Sequence, residues 1–289
     1  MRHATEGPLF HSGPLALCRN GLVIPNLRLQ MQALYDSIGT TYTKSRQADP
    51  AIVQALSQSL GLLPSRAYLD LACGTGNYTV ALSGLGGQWS AIDVSAVMLT
   101  QARDKDNSVS WIQSSADALP FPDGYFDGAI CTLAIHHFSD LRRPFAEVYR
   151  TLRGGKFVLF TGLAEQMQHY WLRHYFPEMM ARSIANMPTE TKITEALLEA
   201  GFKSVTVEPF FVTNELQDLF FYSGKHRASL YLDPTVRANI SSFARLSCES
   251  EVQTGLAQLS ADIKSGAFPS IAATYATELG DYAYIQCAR

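Results

Sequence analysis

The stretch Asp70-Leu71-Ala72-Cys73-Gly74-Thr75-Gly76-Asn77-Tyr78 decides how the rest of the chain is interpreted. A short apolar run precedes it and Thr79-Val80-Ala81-Leu82 follows, which predicts a strand, a glycine-bearing turn and the start of a helix. Backbone N–H groups at such a helix start can meet a ligand. Gly74 and Gly76 permit positive φ and place no Cβ in the ligand's way, and Asp70 adds a carboxylate at the end of the strand.

Two classes of nucleotide-dependent protein carry a turn of this kind. A nicotinamide-binding turn has the pattern G-x-G-x-x-G, but Thr79 stands at its third glycine position, so the close helix–strand packing of that motif is not encoded. Asp-Leu-Ala-Cys-Gly-Thr-Gly instead resembles motif I of the class I S-adenosylmethionine-dependent methyltransferases, of the small-molecule, type 11-like kind. The resemblance implies S-adenosyl-L-methionine as cofactor and S-adenosyl-L-homocysteine as product.

Two further acids follow where a nucleotide site needs them. Asp93 ends the next predicted strand, roughly 20 residues past the turn, where a carboxylate can accept hydrogen bonds from both ribose hydroxyls. By resemblance, Asp117 accepts a hydrogen bond from the adenine amino group, and the backbone amide of Ala118 meets a ring nitrogen. The residues predicted to bind the cofactor are Tyr42, Arg46, Asp70, Ala72, Gly74, Gly76, Asn77, Asp93, Val94, Met98, Asp117, Ala118 and Leu133.

The segment before the turn is predicted to be helical and to cover the cofactor. Tyr35, Ile38 and Tyr42 recur at helical spacing, and Pro50 opens a second helix. The pattern resembles the N-terminal lid of many small-molecule methyltransferases, which implies that Tyr42 touches the methionyl end and Arg46 faces its carboxylate. A plain amphipathic helix with a solvated arginine is the alternative.

Two histidines end the fourth predicted strand, at the edge of the sheet where open α/β proteins bind ligands. His137 and His226 are the candidate catalytic bases, and backbone placement of the cofactor is the expected use of His136. Histidines are often structural, so the residues themselves leave that alternative open. The DNA-amino methyltransferases would carry N/D-P-P-Y/F here, which this chain lacks.

A long connection before the last strand is predicted to cap the site. Residues 209–280 lie where the minimal fold needs only a turn, so they must carry their own structure. Helices are predicted at Leu216–Tyr222, Pro234–Ala244 and Glu251–Lys264, assisted by an aromatic helix at Leu163–Ala185. The residues predicted to contact the acceptor are His137, Tyr170, Trp171, Tyr222, Lys225, His226 and Arg227, with burial in the core as the alternative for the aromatic side chains and a solvated corner for the charged ones.

Composition limits the partners. The 289 residues carry a net charge of -3 and no long basic run, which argues against a nucleic-acid partner. The sequence has no apolar run of the ~18 residues that a membrane span needs. Five scattered cysteines show no metal-ligand spacing, so no metal is expected, and reduced thiols in a cytoplasmic protein are predicted. Oligomeric state is left open.

These observations predict an α/β fold: a Rossmann-like, seven-stranded, mostly parallel sheet with an antiparallel last strand, helices on both faces and a helical cap. Residues 1–34 are an irregular extension, 35–208 and 281–289 form the methyltransferase core with a lid at 35–60, and 209–280 form the cap. The expected function is S-adenosylmethionine-dependent methyl transfer to an N, O or C atom of a small molecule. An NAD(P)-dependent oxidoreductase, a non-catalytic S-adenosylmethionine-binding protein and a macromolecule methyltransferase are the alternatives.

Overall fold

The computed structural model describes residues 46–289. The predicted extension at 1–34 and residues 35–45 of the predicted lid, Tyr42 among them, lie outside the described residues. Strands and helices alternate along the first part of the chain, and short helices fill the connection before the last strand. The strands are β1 (Ala67–Leu71), β2 (Gln88–Asp93), β3 (Ser110–Gln113), β4 (Phe126–Thr132), β5 (Leu152–Thr161), β6 (Lys203–Phe210) and β7 (Tyr282–Ala288).

The helices follow the same order. They are α1 (Pro50–Leu60), α2 (Asn77–Ser83), α3 (Ala96–Lys105), α4 (Arg142–Thr151), α5 (Ala164–Met167), α6 (Leu172–Tyr175), α7 (Pro177–Asn186), α8 (Glu190–Glu199), α9 (Pro234–Ala238), α10 (Ser241–Leu246), α11 (Glu249–Ser265) and α12 (Phe268–Ala273). Short 3₁₀ turns occupy Ile135–His137 and Ala228–Leu232.

The seven strands form one sheet in the order β3-β2-β1-β4-β5-β7-β6. β3, β2, β1, β4 and β5 are parallel, and β7 pairs antiparallel with both β5 and β6. The predicted fold class, including the antiparallel last strand, is therefore confirmed. The chain order reverses between β1 and β4, and in open α/β sheets the crevice at such a point binds ligands.

Helices cover both faces of the sheet, because its central strands are apolar on both sides. On β5, Val158 and Phe160 join one core with Leu56 of α1, whereas Phe157 and Leu159 join the other with Phe145 of α4. These six side chains are fully buried. Because successive side chains of β5 enter opposite cores, the strand is held in position, and so is the strand end that carries the site.

Local signals explain where the helices begin. Asp49 accepts hydrogen bonds from the N–H groups of Ala51 and Ile52, and Pro50 needs no partner at the first helical position. Ser95 accepts from Met98 N–H at 3.3 Å and so caps α3 beside the site.

Three predicted helices differ from the structure. The predicted helix Leu163–Ala185 is divided into α5, α6 and α7, and Pro177, which cannot continue a helix, begins the last of them. The predicted helix Pro234–Ala244 is two helices, the first of which ends at Ala238 with Asn239 as its C-cap. The segment Leu216–Tyr222 is irregular, so that prediction was wrong.

The two consecutive glycines Gly154 and Gly155 lie within β5. Gly155 has φ +127°, and a Cβ there would lie 2.0 Å from the carbonyl oxygen of Asp127 on the neighbouring strand. The glycine is thus required by close packing inside the sheet rather than by the end of a helix.

The connection between β6 and β7 packs onto the rest of the molecule through aromatic side chains. Tyr222 stacks on Tyr170 with ring centroids 3.8 Å apart, and its hydroxyl accepts a hydrogen bond from Trp171 N–H at 3.1 Å. Tyr231 meets the Trp171 ring edge-on at 5.4 Å. All four side chains are at most 1% exposed, so this connection shares a core with α5 and α6.

Candidate active site

The turn after β1 borders a cavity of about 420 Å³, a volume typical of small-molecule sites. Gly74 and Gly76 both have left-handed φ, at +55° and +71°. A Cβ on Gly74 would meet nothing within 4 Å, whereas one on Gly76 would lie 2.4 Å from the ring of Trp111. Gly74 therefore leaves room in the cavity, and Gly76 is explained by packing; it is not among the residues that line the cavity.

Asp93 lines this cavity with its carboxylate held by the backbone. One oxygen accepts from Gly74 N–H at 2.9 Å, and the other accepts from Ser95 N–H at 2.9 Å. A carboxylate has about four lone-pair directions, so these two bonds orient it and leave capacity for ligand hydroxyls. This geometry fits the role predicted for a ribose-binding acid.

Asp70 lies behind the turn rather than in the cavity lining. It is 1% exposed and accepts a hydrogen bond from Thr79 Oγ1 at 2.6 Å. Its second oxygen has no hydrogen-bond partner among the described residues. Burial raises the pKa of Asp70 to about 7 against the lowering effect of Thr79, and the charge of Asp93 raises it further.

Of the two residues predicted to contact the adenine ring, only one lines the first cavity. Asp117 lines the cavity next to Ser115, which donates to the Asp117 carboxylate at 3.4 Å. Ala118 does not line it, and its N–H donates to the carbonyl of Ser115 at 3.2 Å, so the predicted ring contact has a competing partner. The other predicted cofactor residues that line the cavity are Arg46, Ala72, Asn77, Val94, Met98 and Leu133.

Arg46 links the first cavity to the segment between β6 and β7. Its guanidinium donates to both carboxylate oxygens of Asp218, at 2.5 and 3.1 Å, and the Tyr78 hydroxyl donates to the same carboxylate at 3.0 Å. Asp218 is 1% exposed, so the Arg46–Asp218 ion pair has little contact with solvent. The residue predicted to face the cofactor's carboxylate is thus held at the cavity wall by an acid far along the chain.

A second cavity of about 190 Å³ adjoins the first and shares Arg46, Leu133 and His137 with it. Aromatic and aliphatic side chains from residues 209–280 and Met167 of α5 form much of its wall, and α7 contributes the polar residues Ser183 and Asn186. The remaining lining residues are His136, Gly162, Met167, Tyr170, Ser183, Asn186, Met187, Phe220, Phe221, Asn239, Ile240, Ser241, Ser242, Arg245, Leu246 and Tyr282.

Both histidines after β4 face this second cavity and are held neutral. Burial, followed by the positive charges of Arg46 and Arg245, lowers the pKa of His136 to about 4. Burial, then His136 and Arg245, holds the pKa of His137 well below its usual value. The two rings are 3.8 Å apart, and Nδ1 of His136 has no hydrogen-bond partner among residues 46–289.

The charged triplet of the cap has partners inside the protein. Lys225 forms an ion pair with Asp281 at 2.7 Å, a ring nitrogen of His226 lies 2.9 Å from the Val212 carbonyl oxygen, and Arg227 donates to the Leu216 carbonyl at 2.6 Å. None of the three lines either cavity. The predictions that they hold the acceptor, and that His226 is a base, stay untested, and our proposal below does not use them.

Of the aromatic residues predicted to touch the acceptor, Tyr170 lines the second cavity, whereas Trp171 and Tyr222 are buried beside it. Sequence reasoning missed Tyr78 at the first cavity and Ser183, Asn239 and Arg245 at the second. No local motif marks these residues. Tyr78 alone had a signal, because it directly follows the glycine turn.

One cluster of possible metal ligands lies away from both cavities. Ligand atoms of Glu178, Cys248 and Glu251 lie within 4.8 Å of one another. The Glu251 carboxylate already accepts hydrogen bonds from the N–H groups of Glu178 and Met179, at 2.7 and 3.0 Å, and so caps α7. That contact explains the cluster without an ion.

Comparison with known proteins agrees with the geometry. Residues 69–160 match the sequence model of the methyltransferase domain family. A candidate methyltransferase from an antibiotic biosynthesis pathway of Anabaena variabilis is 35% identical with a TM-score of 0.76, over 84% of this chain and 98% of that one. UbiE of Yersinia enterocolitica, a ubiquinone/menaquinone biosynthesis C-methyltransferase, is 27% identical over 50% of this chain and 70% of that protein.

A more distant structure shares the fold. The geranyl diphosphate C-methyltransferase of Streptomyces coelicolor, solved with Mg²⁺, geranyl diphosphate and S-adenosyl-L-homocysteine, is 16% identical with a TM-score of 0.50, over 82% of this chain and 77% of that one. The sheet order and the glycine turn with Asp93 beside it define an α/β enzyme of the methyltransferase class. The chain belongs to the class I S-adenosylmethionine-dependent methyltransferases, and S-adenosylmethionine is its cofactor. The oxidoreductase interpretation is not supported.

No helix in the stretch 46–289 combines the length and the apolar character needed to cross a membrane.

Proposed function

We propose that the chain methylates a small molecule, with the cofactor in the first cavity and the acceptor in the second. The observation that supports this proposal is the shared wall: Leu133 and His137 border both cavities, so a ligand in each would meet there. In the proposed division, 209–280 is the cap and 35–208 with 281–289 is the core.

The chain's own residues fit the cofactor. Gly74 leaves open space at the turn, Asp93 presents an oriented carboxylate, and Asp117 lies on the same wall. When bound, S-adenosylmethionine supplies a methyl group activated by its sulfonium. The protein's tasks are then to align the acceptor and exclude water, which the mostly apolar lining of the second cavity supports.

His137 is assigned a positioning role. A neutral imidazole can accept a hydrogen bond from an acceptor group, but a base with so low a pKa takes up a proton weakly. An acceptor atom that is already nucleophilic at neutral pH suits this site better than one that needs a strong base.

The proposal is tested first on cofactor binding. S-adenosylhomocysteine should bind the purified full chain in calorimetry, and NAD should not. Asp93→Asn should weaken binding by roughly 10- to 100-fold, because a charge-assisted hydrogen bond contributes about 1.5–3 kcal/mol. The matched control is Asp104→Asn, which removes an exposed carboxylate on α3 that lines neither cavity.

Acceptor methylation is tested with S-adenosylmethionine carrying a labelled methyl group. The full chain should transfer label to a component of a small-molecule extract, and Asp93→Asn should do so more slowly. Unchanged affinity in Asp93→Asn would remove the assignment of the cofactor site. Transfer of label to protein or nucleic acid alone would remove the small-molecule acceptor.

A further inference from the structure

Two buried polar atoms on the wall of the second cavity have no hydrogen-bond partner among residues 46–289. They are Oγ of Ser183, a residue of α7 that is 3% exposed, and Nδ1 of His136, in the 3₁₀ turn after β4. Buried polar groups are nearly always hydrogen-bonded. Two exceptions on the wall of one cavity therefore indicate a ligand group that supplies the bonds.

Other polar side chains on the same wall already have partners inside the protein. The Tyr170 hydroxyl donates to the carbonyl oxygen of Asp281. The Tyr282 hydroxyl accepts a hydrogen bond from the N–H group of Tyr222 at 3.1 Å. These two hydroxyls are satisfied without a ligand, in contrast to the hydroxyl of Ser183.

The unpartnered hydroxyl is also unfavourable for its own helix. Ser183 lies inside α7, where alanine is the better helix former. Serines in helices often bond back to a carbonyl of the preceding turn, but the hydroxyl of Ser183 makes no such bond. A buried hydroxyl without a partner costs free energy. A ligand that bonds to it would explain why a serine stands at this position.

The rest of the wall suits the apolar body of a ligand. Met167, Phe220, Phe221 and Ile240 all line the second cavity. Its volume is about 190 Å³, and an apolar protein cavity of about 150 Å³ is large enough to hold benzene. A molecule with one six-membered ring and a short substituent therefore fits.

The two polar atoms match a neutral hydroxyl group. Burial is the largest cause that lowers the pKa of His136 to about 4, so its ring is neutral at pH 7. The hydroxyl of Ser183 can donate and accept, whereas Nδ1 of a neutral histidine donates or accepts according to its tautomer. A ligand hydroxyl can also do both, so it is compatible with either tautomer.

We infer that the acceptor is a small, mostly apolar alcohol or phenol whose hydroxyl group bonds to Ser183 Oγ, with His136 Nδ1 as a second polar contact. The inference rests on the proposed function, because it names the class of molecule that enters the second cavity. Neither residue lines the first cavity. Their bonds would therefore orient the acceptor from the part of the wall that the two cavities do not share.

The test compares two probes of nearly equal shape, p-cresol and p-xylene, which differ by a hydroxyl in place of a methyl group. Each is titrated by calorimetry into the full chain saturated with S-adenosylhomocysteine. p-Cresol should bind roughly 10- to 100-fold more tightly, because p-xylene leaves the buried polar atoms unpaired. A cavity that offered no such atoms would prefer p-xylene, because the hydroxyl of p-cresol would lose its bonds to water.

Two variants identify the atoms responsible. Ser183→Ala should remove most of the preference for p-cresol and leave the affinity for S-adenosylhomocysteine unchanged, because Ser183 does not line the first cavity. It should also keep or raise the melting temperature of the ligand-free chain, because alanine suits the helix and leaves no hydroxyl unpaired. His136→Phe should reduce the preference as well.

The matched control is Ser223→Ala. Ser223 is 1% exposed, and its Oγ also has no hydrogen-bond partner in the described chain, but it lines neither cavity. Its replacement should keep the preference for p-cresol. The comparison separates a hydroxyl on the cavity wall from one that is merely buried.

Equal binding of the two probes, a preference for p-xylene, no binding of either, or an unchanged preference in Ser183→Ala would each overturn the inference. So would loss of the preference in Ser223→Ala, or its loss in Ser183→Ala together with a lower melting temperature, which is the result of a structural role. An unchanged preference in His136→Phe would overturn the contact assigned to His136. Failure of S-adenosylhomocysteine to bind the unaltered chain would instead overturn the proposed function, so the two failures are distinguishable.

Discussion

The carboxyl group of Asp70 shows how a buried acid can be costly to the fold. It is buried at the end of β1, with one oxygen bonded to Thr79 and the other unpartnered in the described chain. Its pKa of about 7 means that the folded protein keeps it partly protonated near neutral pH. In the unfolded chain the same carboxyl group has an ordinary pKa near 4, so it ionises at a much lower pH.

This difference predicts a pH dependence of stability. A raised pKa in the folded state gives stability that is present below pH 4 and is lost as the pH rises to about 7. The free energy of unfolding of the unaltered chain minus that of Asp70→Asn should therefore fall across this range, by on the order of 4 kcal/mol, and then level off. Urea unfolding at a series of pH values measures it, and a constant difference would show that Asp70 ionises freely in the fold.

Residue identities at the turn were predictable because the motif is local. The pattern around Gly74, the strand-end position of Asp93 and the place of Asp117 follow from short stretches whose geometry depends little on the rest of the chain. The bond from Thr79 to Asp70 was not predicted, because Thr79 was considered only as a missing glycine. Its hydroxyl is instead the partner of the buried acid.

At the scale of an element, the turn between β1 and α2 offers a matched pair of substitutions. Gly74 and Gly76 have similar backbone conformations, but only Gly76 has a neighbour, Trp111, where a Cβ would lie. Replacing either by alanine costs roughly 1 kcal/mol of backbone strain. Beyond that shared cost, the two variants should differ in stability and in affinity for S-adenosylhomocysteine.

Gly76→Ala should be the more destabilised variant, because Trp111 must move to make room for the new Cβ. We expect its free energy of unfolding to fall by about 1–3 kcal/mol more than that of Gly74→Ala. Gly74→Ala should instead weaken S-adenosylhomocysteine binding, because its methyl group enters the cavity. Thermal unfolding and calorimetry on both variants separate the two effects. Equal loss of stability with unchanged affinity in both would contradict this division of roles.

The seven-stranded sheet with its antiparallel last strand was predicted, whereas part of the cap was not. Strand signals such as the apolar run of β5 are local and buried on both faces. The segment Leu216–Tyr222 has helical spacing, but Asp218 is drawn inward to Arg46 and Tyr78, and tertiary contacts of this kind override a weak local preference.

At the scale of the whole molecule, the Arg46–Asp218 pair joins segments that are far apart in sequence. Removing one partner of a buried pair leaves the other charge without compensation, which typically costs about 3–5 kcal/mol. Arg46 is 11% exposed, so water offsets part of that cost. The pair should therefore contribute strongly to the attachment of the cap.

Asp218→Asn should lower the free energy of unfolding by roughly 3 kcal/mol in urea unfolding. Glu215→Gln removes an equal charge from an exposed position three residues earlier and serves as the control, with an expected change within about 0.5 kcal/mol. A similar effect of both substitutions would show that net charge, rather than this contact, stabilises the cap.

The second cavity was beyond prediction because its lining is assembled only by the fold. Ser183, Asn239 and Arg245 lie on or beside three different helices, and no motif links them. A sequence indicates the existence of a long insertion, but which of its side chains turn toward the core depends on packing across the whole molecule. Of the seven residues predicted to contact the acceptor, His137 and Tyr170 line the second cavity and the other five do not.

The wall shared by the two cavities has a thermodynamic consequence. If Leu133, His137 and Arg46 take one arrangement when either ligand is present, the first ligand bears the cost of ordering that wall and the second does not. Each ligand must then raise the affinity of the other by the same factor, whichever is added first. Cooperativity between donor and acceptor would thus be a property of three side chains.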